Sequence, residues 1–213
     1  MKVLFYIPFL ILVSCKSINI PVQDGMAKAY FASGCFWCVE AIYESVIGVE
    51  EVVSGFSGGA KRPSDKNIGN HAETVEVTYN PKIVSFSDLI EVYFSSQNPT
   101  QVNSQGPDLG IRYRSIIFYQ NKAEKKISEV KKAEWAKKLN VKIAAEIVMF
   151  KKFWPADDYH QDFEERNPDH PYILQVSNPR MQRFKQTCPL PLLIKDFKKL
   201  DHEQTRDTLQ TDK

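Results

Sequence analysis

The stretch Gly34-Cys35-Phe36-Trp37-Cys38-Val39-Glu40 decides how the chain is read. Just upstream, Ala29-Tyr30-Phe31-Ala32 is a short apolar run bounded by Ser33-Gly34, which predicts a buried strand. Just downstream, Val39, Ile42, Tyr43, Val46 and Ile47 recur at helical spacing until Gly48. A strand therefore passes through a tight glycine turn into a helix that Cys35 opens. Helix N-termini leave N–H groups unpaired and carry a partial positive charge. Cys35 is accordingly expected to have a lowered pKa and to serve as a nucleophile. Packing alone would make Phe36 and Trp37 core residues and both cysteines inert thiols. Two cysteines three apart at a helix start fit redox chemistry better.

Working outward, Glu50-Glu51-Val52-Val53 leads a strand to about Phe56, closed by Gly58-Gly59. That glycine pair lacks the spacing of a phosphate-binding loop, so nucleotide binding is set aside. Ala72 to Tyr79 alternates, with Val75, Val77 and Tyr79 on one face. Glu73 falls on that same buried face, where an unpaired carboxylate is costly and the acid form is favoured. Ser85 with Asp88 resembles a capping box for a helix carrying Leu89, Ile90, Val92, Tyr93 and Phe94. Residues 97–109 read as a loop, 112–119 as a strand, and Asn121 with Glu124 as the cap of a charged helix to about Leu139. A further strand over 142–150, a short helix over 157–166 and a short strand over 173–176 complete the pattern. Strands and helices interleave without regular βαβ repeats, so the fold class is α+β, a mixed sheet with helices against it.

The 213 residues suit one domain with a sizeable core, and 43% hydrophobic with 25% charged residues is an ordinary globular balance. A net charge of +2 gives no reason to invoke nucleic acid. The N-terminus differs. Lys2 precedes an apolar run over 3–13, too short to span a bilayer, which takes about 20 residues. A basic start, an apolar core and a small residue make the plan of a secretory signal. Leu12-Val13-Ser14-Cys15 resembles the lipobox of bacterial lipoproteins, which implies lipidation at Cys15 and an anchored, extracytoplasmic protein of the bacterial cell envelope. The expected divisions are a signal peptide over 1–14, a lipidated Cys15 and polar tether over 15–27, one domain over 28–190, and a charged tail over 191–213.

Taken with three segments further along, the opening stretch resembles one family, peptide methionine sulfoxide reductase A. Gly-Cys-Phe-Trp is similar to that family's active-site signature. Gly69-Asn70-His71-Ala72-Glu73 resembles its G-H-A-E segment, and 106–115 resembles its D-x-G-x-x-Y-R-S segment, with Asp108, Tyr113, Arg114 and Ser115 in place. Asp158-Tyr159-His160-Gln161 and Asn167-Pro168 resemble its late pairs. The resemblance covers residues 28–172 and implies a two-layer sandwich with a ferredoxin-like core. It implies Cys35 as the attacking thiol, Glu73 as proton donor, Phe36 and Trp37 as the wall of a methyl pocket, and Asp108 and Tyr113 as contacts to the sulfoxide oxygen.

That division of labour suits the chemistry. A thiol attacks sulfur, an acid protonates the departing oxygen, and the resulting sulfenic acid condenses with a second thiol. No metal or organic cofactor is required; a zinc site from Cys35, Cys38, His71 and His160 would lack the second cysteine pair common in such sites. Cys38 is the better resolving thiol, because residues three apart on a helix share a face; Cys188 is a second candidate. Oxidised proteins or peptides are the expected substrate, a thioredoxin-like protein or a membrane-relayed equivalent the reductant, and a monomer the expected state. The family commonly carries a Tyr in the loop before G-H-A-E and another where this chain has Phe163. Both are absent, which leaves Tyr113 as the retained hydroxyl. A general thiol–disulfide oxidoreductase would share C-x-x-C but leave His71-Ala72-Glu73 and Tyr113-Arg114-Ser115 without a role.

Overall fold

Alternation along β1 (Ala27–Ser33) sets up both faces of the molecule. Ala29 and Phe31 belong to the main core, while Tyr30 and Ala32 belong to a smaller cluster on the opposite face. The computed structural model describes residues 25–63, 67–190 and Lys195. After β1 come α1 (Phe36–Glu44), β2 (Val49–Ser57), β3 (Ala72–Tyr79) and α2 (Phe86–Ser95). The two-residue strands β4 (Ser104–Gln105) and β5 (Asp108–Leu109) form a small hairpin of their own. Then follow β6 (Ser115–Tyr119), α3 (Lys122–Leu139), β7 (Glu146–Met149), β8 (Phe153–Pro155), α4 (Phe163–Arg166) and α5 (Asn178–Thr187).

Six strands lie in the order β7-β6-β1-β3-β2-β8. All neighbours are antiparallel except β6 and β7. The inner run β1-α1-β2-β3-α2-β6, with sheet order β6-β1-β3-β2, is the split βαβ plan of a ferredoxin-like core. The fold is thus α+β, as expected. Phe31, Val75, Val77 and Ile117 meet Val39, Ile42 and Tyr43 of α1 and Leu89, Ile90 and Tyr93 of α2 in the main core. Each fully buried side chain of this kind contributes roughly 1.5–3 kcal/mol. The other face is covered by aromatic rings, with Tyr30 stacked on Phe150 at a centroid distance of 3.8 Å.

Several elements follow their sequence signals closely. Ser85 and Asp88 exchange both capping bonds at the start of α2. Asn121 accepts from the Glu124 N–H at the start of α3, though Glu124 reaches back to the Gln120 N–H. Other elements differ. The strand expected over 112–119 begins only at Ser115, because Ile111–Tyr113 is a 3-10 turn whose first carbonyl binds the Arg114 guanidinium. The strand expected over 142–150 is confined to Glu146–Met149, since Ala144 bonds instead to the Pro99 carbonyl. The helix expected over 157–166 is broken by Asp162 at φ 50° into a 3-10 turn (Asp158–His160) and α4. Residues 173–176 are not a strand: Ile173–Ser177 is a π turn running into α5.

Among the described residues no helix is long and apolar enough to cross a membrane. The signal over 1–14 and Cys15 lie outside the described residues, as do most of the tether and tail; Lys195 bonds the Ser45 and Val49 carbonyls.

The turn that ends β1 has no room for a side chain. Gly34 sits at φ +90°, and a Cβ there would lie 2.6 Å from the Gln105 Cβ. Gly69, at φ +57°, is open: a Cβ there would meet nothing within 4 Å. Gly69→Ala should therefore cost about 1–2 kcal/mol for the left-handed conformation alone. Gly34→Ala should add about 1–3 kcal/mol of overpacking. Thermal unfolding of the two variants checks this; equal shifts would mean that Gln105 moves aside freely.

Candidate active site

The glycine turn delivers Cys35 as the N-cap of α1, with its side chain making no capping bond. The first free donor of the helix, the Phe36 N–H, goes to Glu73 Oε2 at 3.1 Å. Glu73 reaches it from the start of β3. The loop before β3 is closed by the buried His71, whose ring accepts from Gly59 N–H and meets the Lys61 carbonyl at 2.6 Å. Glu73 is 6% exposed, and Arg112 Nε stands 4.0 Å from its other oxygen. Burial pushes its carboxyl up to about 7, against the lowering by Phe36 N–H and Arg112. The expected acid form near neutral pH is what this environment favours.

Cys35 and Cys38 are both buried free thiols, and they hydrogen-bond to each other. Cys38 is drawn down to about 6, first by the Cys35 thiol and then by the Arg180 guanidinium, Ser177 and Tyr172, against burial. Cys35 is pushed up, first by the same shared hydrogen bond and then by burial and Glu73. The shared hydrogen bond thus couples the two sulfurs, favouring the charge on Cys38 over Cys35. This reverses the expectation of a lowered Cys35. The physical reason is the hydrogen bond the two sulfurs share, then burial, while the Phe36 N–H is taken by Glu73.

The structure gathers the remaining candidates around this pair in two groups. Phe36 is buried, 5.0 Å from the His160 ring and 5.6 Å from Phe56. Trp37 is stacked on Phe163 at 3.6 Å and donates its indole N–H to His160 Nδ1 at 3.2 Å. Gln161 clips this segment to β2 through both Ser54 backbone groups. Asp108, at the tip of the small hairpin, accepts from the Tyr172 hydroxyl at 2.6 Å. Burial raises the Asp108 pKa against that bond and Arg180. Tyr113 lies on the Glu73 side, half-buried, its pKa raised by burial and then by Glu73.

Sequence reasoning missed Tyr172, Ser177 and Arg180. Tyr172 Oη is 3.8 Å from Cys38 Sγ and stays a neutral phenol, held far up by burial and then by the two thiols. It provides a hydroxyl at the site where Phe163 has none. Its position depends on a π turn that leaves no periodicity signal. Cys188 is not brought to the pair: it is buried at the end of α5 among Ser95, Leu190 and Glu91, with its thiol raised by burial. His71 is engaged with Gly59 and Lys61, and His160 with Trp37, so neither joins the thiols in a metal site.

The family described as peptide methionine sulfoxide reductase matches residues 27–189, and the chain belongs to it. MsrA 2 of Synechocystis sp. is 40% identical over 195 residues, covering 84% of this chain and 91% of that protein. The structure of Mxr1 from Saccharomyces cerevisiae in reduced form is similar at a TM-score of 0.65 and 31% identity, over 71% of this chain and 92% of that one. Mxr1 in complex with Trx2 matches at a TM-score of 0.50 and 26% identity, over 68% and 91% of the two chains. A general thiol–disulfide oxidoreductase is not favoured by these likenesses.

The shared charge can be read directly. Thiolate absorbance should titrate with a midpoint near pH 6 and an amplitude of one thiolate per chain. Cys38→Ser should remove that transition below pH 8. Persistence of the transition in Cys38→Ser would place the charge on Cys35.

Proposed function

We propose that this chain reduces methionine S-sulfoxide in oxidised proteins or peptides by passing its oxygen to Cys35 and closing a Cys35–Cys38 disulfide. The observation that carries this is the Phe36 N–H bond that holds a protonatable Glu73 against the turn bearing the buried thiol pair. The family supports the activity, and the geometry supports the roles that the resemblance implies for individual residues.

At rest Cys35 is a thiol, Cys38 a thiolate and Glu73 an acid. The Cys35 proton passes to Cys38, and Cys35 sulfur attacks the sulfoxide sulfur while Glu73 protonates the oxygen. The thioether leaves, reduced by two electrons, and Cys35 becomes a sulfenic acid. Cys38 sulfur then attacks Cys35 sulfur; the S–S bond forms, the S–O bond breaks and the oxygen departs as water. Phe36 and Trp37 wall the methyl group. Asp108, with Tyr172 and Tyr113 on either side, faces the sulfoxide oxygen. A thioredoxin-like protein is the fitting two-electron reductant, as the likeness to Mxr1 in complex with Trx2 supports. Cys188 could accept the disulfide only after a rearrangement of α5.

Turnover of S- and R-methionine sulfoxide peptides by protein lacking residues 1–15 tests the reading; reduction of the R form alone would overturn it. Cys35→Ser should abolish turnover, and Glu73→Gln should lower it on the order of 10²-fold. Activity needs the pair above its transition near 6 and Glu73 below its own near 7. The kcat/KM profile should therefore rise through about pH 6 and fall through about pH 7, and Glu73→Gln should lose the alkaline limb.

The N-terminal sequence supports a lipid-anchored protein of the bacterial cell envelope. Several acyl chains at Cys15 would be needed for stable attachment, at ~0.8 kcal/mol per buried CH₂. The tether over 16–27 would hold the domain within ~40 Å of the membrane. Cys15→Ser should move the protein to the soluble fraction and abolish incorporation of a labelled fatty acid. Label or membrane retention in that variant would show that Leu12-Val13-Ser14-Cys15 is no lipobox.

A further inference from the structure

We propose that Arg180 is a positioning residue for the redox pair: its buried guanidinium is the fixed counter-charge beside Cys38 when that sulfur closes the disulfide. This rests on Cys38 being the resolving thiol. Arg180 is 6% exposed, and among the described residues its hydrogen bonds go to neutral groups. Nε donates to the Ser96 carbonyl at 2.8 Å, and Nη2 to the Ser33 carbonyl at 2.9 Å and the Ser33 hydroxyl at 3.3 Å. Among the described residues no carboxylate forms an ion pair with it. A buried cation without a paired anion is costly. The titratable groups it faces electrostatically are Cys38, Asp108, Glu164 and the buried phenols of Tyr43 and Tyr93.

The backbone explains how the charge arrives there. In the π turn the Asn178 N–H bonds the Ile173 carbonyl, five residues back. Five-residue spacing brings Tyr172 and Ser177 onto one side, and Arg180 follows three residues later on the same side. Tyr172 Oη lies 3.8 Å from Cys38 Sγ, and Ser177 and Arg180 both act on that sulfur. Anchoring to Ser33 at the end of β1 and Ser96 at the end of α2 then fixes the guanidinium relative to the Gly34 turn. The other groups facing Cys38 are the Cys35 thiol, the carboxyls of Glu73 and Glu164, and the neutral Tyr172 phenol; Glu164 is bonded by the Ser177 hydroxyl. Arg180 is the one cation in this set, and Arg112 stands on the far side of Glu73.

In the step it serves, the Cys38 thiolate attacks Cys35 sulfenic acid, the S–S bond forms, and hydroxide leaves with a proton from the site as water. Without the counter-charge Cys38 moves toward an ordinary thiol, whose pKa is about 8.5, so little thiolate remains at pH 7. Closure should slow roughly tenfold, because a more basic thiolate is also a better nucleophile and recovers part of the loss.

The test uses the full chain and Arg180→Gln, which keeps hydrogen-bond donors but loses the charge, with Arg180→Lys as rescue. Arg180→Met replaces the Gln variant if that one does not fold. Thiolate absorbance is titrated first. The sulfenic acid left by one stoichiometric turnover without reductant is then jumped across a pH series, and closure is followed by quenching and peptide mapping. Arg180→Gln should raise the thiolate midpoint by about one unit or more, slow closure about tenfold at pH 7, and recover as pH rises; Arg180→Lys should stay near the parent. A parental midpoint in Arg180→Gln overturns the proposal. So does slowing that is equal in the Gln and Lys variants at every pH, which is what a purely structural role predicts. Cys38→Ser separates the two readings. If it still closes an intramolecular disulfide at the parental rate, the resolving role of Cys38 fails. If it stalls at the sulfenic acid while Arg180→Gln behaves as the parent, only the role of Arg180 fails.

Discussion

The hydrogen bond from the Phe36 N–H to Glu73 joins the first residue of a helix to the second residue of a strand, in a place almost without solvent. Much of the surrounding structure can be read as what that bond demands. The chain must reverse sharply between β1 and α1, and Gly34 at positive φ allows it while leaving room for Gln105. Gln105 in turn binds Gln97 and Asn98, which seats the small hairpin carrying Asp108. The loop entering β3 must end with Glu73 inward, and the buried His71 ties that loop to Gly59 and Lys61. An added Cβ at Gly59 would sit 2.3 Å from the His71 ring, so the close approach admits glycine alone.

The same bond sets the charge arrangement. A helix N-terminus offers few free donors, and the one nearest the nucleophile is given to the acid. The thiolate must then be stabilised from elsewhere. It is found one turn along α1, at Cys38, where groups from the far end of the chain meet it. Glu73 and the thiol pair are thereby driven in opposite directions by neighbouring environments: burial holds a proton on the carboxyl, while a shared hydrogen bond and a nearby cation take one from the sulfurs. Acid and base form within one small buried volume at the same pH.

How much of this was legible in the sequence follows from the range of each interaction. The strand–turn–helix around Cys35, the capping box at Ser85 and the inward Glu73 are all local patterns, written within a few residues, and they appear in the structure where expected. The ferredoxin-like order of strands needed the family resemblance as well. The ionisation of Cys35 departs from the rule for helix N-termini because that rule says nothing of a second thiol sharing its proton, nor of which side chain claims the free N–H, and Glu73 lies 37 residues away from it. Tyr172 and Arg180 could not be found at all by periodicity: the π turn shifts the helical register by one residue between them. A pattern search at 3.6 residues per turn reads that segment as fading structure.

Phe163 shows how that late segment completes the site. A tyrosine there would lie flat on Trp37 and present a hydroxyl at its edge; phenylalanine keeps the stack, at 3.6 Å and 7° between planes, and gives up the hydroxyl. Tyr172 approaches the same indole edge-on, at 5.9 Å and 79°, and carries its hydroxyl to Asp108 and Cys38 instead. The polar contact is thus supplied from the other side of the ring. Its donor belongs to the helical segment that also delivers Ser177 and Arg180. Packing, hydrogen bonding and charge at Cys38 consequently share one structural origin, the register of the π turn. An ordinary α-turn over Ile173–Ser177 could keep Tyr172 at the indole or Arg180 at the sulfur, and would turn the other away.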